Sequence, residues 1–130
     1  MSTQIPGLYI LETEEKGRGV FTSVPISKGD LIESAPVIII NDEDRKVIHE
    51  TKLHDYYFLW GNGPEKSTYH AAIALGYGSL YNHSKEANAE FVPVFEEEVI
   101  EFVATRDIEA GEEILIKYDE GNHADFELWF

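Results

Sequence analysis

A chain of 130 residues with 43% apolar residues can build one hydrophobic core and is read as one domain spanning 1–130. Its 25 acidic residues against 10 basic ones give a formal charge of −15, which repels phosphate backbones and anionic lipid, argues against direct nucleic-acid or membrane binding, and favours cationic partners. Without cysteine there is no disulfide or thiolate metal site, and without a long apolar run or a basic, apolar leader in "MSTQIPGLYI" the expectation is a soluble intracellular protein.

In chain order, Leu8 to Thr13 and Val20 to Ser23 read as strands flanking the turn "EKGRG". Leu31 to Ile40, rich in Val and Ile, reads as a third strand that Pro36 breaks. The polar "NDEDRKVIHETKLH" has room for one helical turn, and "DYYFLWGNG" is an aromatic strand closed by a Gly-Asn-Gly turn. "FVPVFEEEVIEFVATRDI" forms a hairpin with Glu96 to Glu98 at its tip. A last strand, "EEILIKY", follows a turn at Ala110 and Gly111, with Ile114 and Ile116 facing the core. The expected fold is mainly β, in several small sheets.

Common catalytic and cofactor patterns are absent from the sequence. There is no Gly-x-Ser-x-Gly elbow, and the five histidines lack metal-ligand spacing, so no metal site is assigned. His49 and His54 stand five apart and do not stack on one helical face; they read as surface residues. "GRG" opens onto a strand where a dinucleotide fingerprint needs a helix.

Three stretches in order, "KGRGVFTSVPISKGDLI", "GYGSLYNHSKEANAEF" and "TRDIEAGEEILIKYDE", resemble the SET domain. This is the β-rich family of protein lysine methyltransferases that use S-adenosylmethionine. The likeness runs from about Leu8 to Glu120 and is greatest to minimal viral and bacterial members, which lack cysteine-rich flanking zinc modules. The fold it implies has a knot-like C-terminal core, in which the last strand's continuation threads past the Asn-His segment.

The resemblance assigns roles, each with a plainer alternative. Gly17, Arg18 and Gly19 would form a tight turn whose backbone meets the amino-acid end of the cofactor, or an ordinary β-turn. Asn82 would address the cofactor's ammonium and carboxylate and the His83 backbone its adenine edge, or Asn-His-Ser is a self-capped turn. Tyr118 stands where the family places its catalytic tyrosine, unless it is a strand-end Tyr with a solvated hydroxyl. Tyr56, Tyr77 and Phe91 are candidate walls of the substrate lysine channel, though aromatic rings also serve cores. Phe91 falls where the family varies between Phe and Tyr, a choice that decides whether a water crowds the lysine. After Tyr118 the chain departs from the family: "KYDEGNHADFELWF" brings aromatics only at Phe126, Trp129 and Phe130. Trp129 would cover the adenine if the tail folds back; otherwise the tail is a dimer contact or disordered.

The implied function is methyl transfer to a lysine in a basic protein, with a SET-like module that binds a basic peptide or the cofactor without turnover as the alternative. Between Glu86 and Glu120 stand 12 acidic residues against 2 basic ones, which would draw a basic, histone-like substrate or merely keep the protein soluble.

Overall fold

The computed structural model describes residues 3–14, 16–60 and 70–116, and among them strands dominate. The short β1 (Thr3–Gln4) leads into β2 (Leu8–Thr13), which pairs with β3 (Gly17–Thr22) as a separate two-stranded sheet. β3 thus begins three residues before the strand expected from Val20. The long β4 (Leu31–Ile40) is followed by α1 (Asp42–His49), a 3-10 turn over Lys52–Asp55, and β5 (Phe58–Trp60). Then come β6 (His70–Ala74), a 3-10 turn over Gly78–Leu80, β7 (Asn82–His83), the hairpin of β8 (Ala89–Val94) and β9 (Val99–Ala104), and β10 (Leu115–Ile116).

The larger sheet runs β5-β6-β4-β9-β8-β10-β7, with β1 added along β4. The short pairings expected as small sheets lie on one curled path because β4 is long enough to serve several partners in turn. Pro36 does not break it: β4 is continuous over ten residues. Residues 31–36 pair with β9 and 37–40 with β6, so Pro36 lies where the strand changes partners and a missing N–H is tolerated. The irregularity in β4 is a register shift between Leu31 and Glu33.

The polar stretch after β4 forms two helical turns where one was expected. Asn41 caps them by accepting from the Asp44 N–H at 2.8 Å, and Asp42, Glu43 and Asp44 complement the positive end of the helix. The Gly-Asn-Gly turn after β5 lies outside the described residues. Inward-facing Val20, Ile32, Ile100, Phe102, Ile114 and Ile116 are fully buried at the centre of the core. Each contributes about 1.5–3 kcal/mol over an exposed side chain.

β7 and β8 both run parallel to β10 and lie on either side of it. Parallel neighbours usually need a crossover of a dozen or more residues. Here only residues 84–88 connect them, so that segment must arch over β10. Two backbone bonds fasten the arch, Ser84 N–H to Ile116 C=O at 3.1 Å and Asn88 N–H to Leu115 C=O at 3.0 Å. This arch is the described part of the expected knot-like core; the continuation beyond Ile116 lies outside the described residues.

Candidate functional site

The third motif is the piece that joins the other two. Gly111 adopts φ +92°, and its N–H donates to Thr22 C=O at 2.7 Å, turning the chain back along β3. Thr22 N–H to Glu112 C=O at 3.2 Å and Ile114 N–H to Val20 C=O at 2.8 Å continue that lacing. The next two residues, Leu115 and Ile116, pair with Asn82 and His83. Along one edge this extended segment therefore bonds first to β3, through Glu112 and Ile114, and then to the β7 end, through Ile116. Asn88, just before β8, holds the other edge through Glu113 and Leu115. Alternation along it sends Ile114 and Ile116 into the core, as expected, and Glu113 the opposite way.

Glu113 points at Asn82. The Asn82 carboxamide Nδ2 donates to the Glu113 carboxylate at 2.8 Å and lies 3.3 Å from the Arg18 carbonyl. Gly17, Arg18 and Gly19 are the opening residues of β3, so the tight turn expected at "GRG" comes one step earlier. There Thr13 Oγ1 donates to the Gly17 carbonyl at 2.7 Å and accepts from the Lys16 N–H at 3.0 Å, with Gly17 at φ +71°. Gly19 has a steric reason: a Cβ there would collide with the Glu113 carboxylate and stand 2.9 Å from Asn82 Nδ2.

His83 follows on the same strand. Its carbonyl accepts from Lys16 Nζ at 2.7 Å, and its ring meets Phe91 edge-on, with centroids 6.4 Å apart. Burial, reinforced by the nearby Lys16 charge, pulls the imidazole pKa down to about 4, so the ring is neutral at physiological pH. Phe91, on the core face of β8 opposite Phe102, also packs on Phe58 at 5.1 Å. The structure thus gathers Gly17, Arg18, Gly19, Asn82 and His83 in one place and sets Phe91 against it. Tyr77 is half-buried on the turn leading to β7, where its N–H donates to Glu33 at 3.1 Å. Tyr56 is half-buried at the end of the 3-10 turn, next to the buried Tyr57. Tyr118 and Trp129 lie outside the described residues.

Four residues escaped the sequence reading. Glu113 stood inside a quoted motif, and its parity opposite Ile114 and Ile116 was the available signal. Lys16 also stood in the first motif, but its reach to His83 depends on tertiary contact. Glu33, fully buried on β4, and Asn88, 1% exposed, left no sequence signal of their depth.

Residues 17–119 match the family model described as "SET domain". The chain belongs to the SET-domain family. It is 34% identical over 124 residues to a histone-lysine N-methyltransferase of Schizosaccharomyces pombe specific for lysine 37 of histone H3. That match covers 95% of this chain and 76% of the relative. The crystal structure of a Plasmodium falciparum protein described as a histone methyltransferase superposes with a TM-score of 0.67 at 30% identity, covering 88% of this chain and 95% of that one. ATXR5, solved in complex with histone H3.1 mono-methylated on an arginine, shares the fold with a TM-score of 0.72 at 19% identity, covering 91% of this chain and 59% of that one. The activity of this SET protein is that of a protein-lysine N-methyltransferase, and SET methyltransferases draw their methyl group from S-adenosylmethionine.

The donor set suits that cofactor. Two main-chain carbonyls, a carboxamide and a carboxylate converge beside a glycine, a polar mixture able to meet an amino-acid ammonium and a purine amine. Among the described residues no helix is long and apolar enough to cross a membrane.

Proposed function

We propose that this SET protein methylates a lysine carried in a basic, histone-like segment, with Gly17, Arg18, Gly19, Asn82 and His83 holding the cofactor. The observation that carries this reading is the approach of Asn82 Nδ2 to both the Arg18 carbonyl and the Glu113 carboxylate, within 3.3 Å, which joins all three motifs at one point. Trp129, outside the described residues, would cover the adenine if the tail folds back, and residues 1–130 are read as a single domain. The relative named for lysine 37 of histone H3 supports a basic substrate, as does the acidic excess between Glu86 and Glu120.

When bound, S-adenosylmethionine supplies a methyl group on a positively charged sulfur. The protein's own residues must then deliver a neutral lysine amine in line with it. Lysine has an ordinary pKa of about 10.4, and a channel walled by Tyr56, Tyr77 and Phe91 disfavours the charged form. The Tyr118 hydroxyl orients the amine, so much of the rate comes from positioning. Phe91 brings no hydroxyl to anchor a water beside the amine, which leaves room for a methylated lysine to return.

Calorimetry with S-adenosylmethionine on the wild type and on Tyr118→Phe tests the assignment. Losing one hydroxyl while keeping the ring should leave cofactor affinity nearly unchanged and remove most turnover. Wild-type turnover in Tyr118→Phe would overturn the role given to Tyr118.

A further inference from the structure

Glu33 is a fully buried carboxylate on the core face of β4. Burying such a group is costly unless several donors meet it, and an apolar residue of similar size would often be as stabilising. Three donors do meet it. Tyr81 Oη donates to Oε1 at 2.7 Å, Gln4 Nε2 to Oε2 at 2.9 Å, and the Tyr77 N–H to the same Oε2 at 3.1 Å. The Gln4 contact follows from register, because Gln4 lies directly opposite Glu33 where β1 joins β4.

Tyr77 and Tyr81 bracket the 3-10 turn at Gly78–Leu80. One carboxylate therefore holds both ends of the segment that leads into Asn82. The glycines on either side of Tyr77 fit the same account. Gly76, at φ +62°, has the Glu33 Oε2 where a Cβ would stand, and a Cβ on Gly78 would lie 2.5 Å from that of Ala74. The turn is pressed onto β4 and β6, with its main chain against the carboxylate.

We infer that Glu33 is a positioning residue, which through the Tyr77 main chain and the Tyr81 hydroxyl fixes the distance between the lysine channel and the cofactor wall at Asn82. This rests on the reading of Tyr77 as a channel wall and Asn82 as a cofactor ligand. A carboxylate suits the task because it only accepts, so all three donors must point inward at once. Glutamine keeps the size and one accepting oxygen. That oxygen can take the place of Oε2 against Tyr77 and Gln4, while the new amide donates to a rotated Tyr81 hydroxyl. Leucine offers nothing to any of them.

The test compares Glu33→Gln and Glu33→Leu with the wild type by steady-state kinetics on a basic lysine peptide, cofactor titration, and hydrogen exchange at the Tyr77 amide. Glu33→Leu should exchange the Tyr77 amide at least tenfold faster and raise the peptide KM at least tenfold in the folded fraction. Glu33→Gln should restore both to within about threefold of wild type. Should Glu33→Leu fail to fold, Gln4→Leu and Tyr81→Phe each remove one donor, and each should raise KM severalfold. A purely structural role predicts activity that follows the folded fraction with KM unchanged, and that result, in Glu33→Leu or in both single-donor variants, overturns the inference. Failure of the underlying reading is separate, because it would show as unchanged cofactor affinity in Asn82→Ala and unchanged peptide KM in Tyr77→Ala, while the Tyr77 exchange comparison in the Glu33 variants still reports on Glu33.

Discussion

Replacing Asn88 with alanine tests how the arch over β10 is held. The Asn88 side chain acts as a stretch of backbone: Nδ2 donates to the Glu113 carbonyl at 2.8 Å, and Oδ1 accepts from the Leu115 N–H at 2.8 Å. Its main chain adds bonds to Leu115 and Thr105 that the substitution leaves alone. Alanine therefore strands one carbonyl and one N–H beside a side chain that is only 1% exposed. At about 1–3 kcal/mol for each unsatisfied buried group, the expected loss is about 2–6 kcal/mol. Against a typical total of about 5–15 kcal/mol this is a large fraction. With a urea m-value of about 2 kcal/mol/M, the unfolding midpoint should fall by about 1–3 M while m stays constant. Asn82→Ala supplies the contrast. Asn82 is partly exposed, and water can replace it on the Glu113 carboxylate, so stability should change by less than about 1 kcal/mol. Its cofactor affinity should instead fall roughly five- to hundredfold, the equivalent of about 1–3 kcal/mol. The reasoning is refuted if Asn88→Ala lies within about 0.5 kcal/mol of wild type, or if Asn82→Ala destabilises as much as Asn88→Ala.

The remaining predictions concern pH, product and salt. The His83 pKa is lowered from 6.5 to about 4, so the unfolded chain binds the proton first, and stability is lost as pH falls through that window. The cost is about 1–3 kcal/mol, and an NMR titration in which the His83 ring protonates near its ordinary pKa would contradict it. Phe91→Tyr places a hydroxyl close to His83 and should shift products toward monomethyl-lysine; mass spectra showing only monomethyl product from the wild type at long times would refute this. Replacing the exposed Glu96, Glu97 and Glu98 with Gln should lower kcat/KM on a Lys/Arg-rich peptide and leave turnover at saturation similar. Added salt should erase the difference, because exposed charges are screened over about 8 Å at physiological ionic strength. Equal kcat/KM with flat salt dependence would make the hairpin tip a solubility feature only.

The parts of the fold that follow short-range rules were legible in the sequence. The β8–β9 hairpin turns at the acidic triplet, with Glu98 at φ +55°, and the alternation of Ile114 and Ile116 gave the buried face of the last segment. The helix was underread although its signals were present: an Asn cap, three acids in the first turn, and Lys46 and His49 in the last. Glu33 is different in kind. On a strand a glutamate ordinarily marks the solvent face, and only the pairing with β1 and the return of the chain at Tyr77 supply its donors. Asn88 likewise depends on the register of a segment more than twenty residues further on. The approach of Asn82 to Gly19 was legible because both stand inside motifs that the resemblance brings to one place. What joins them, the Glu113 carboxylate, depends on which face of its strand meets β7.

The most direct test is to incubate the purified chain with S-adenosylmethionine and a basic histone-type peptide, then read the peptide by mass spectrometry. Methyl groups should appear on lysine side chains, only when the cofactor is present, and in sharply lower yield with Asn82→Ala. Tight cofactor binding by the wild type with no methyl group on any lysine, across histone-type and other basic substrates, would contradict the account.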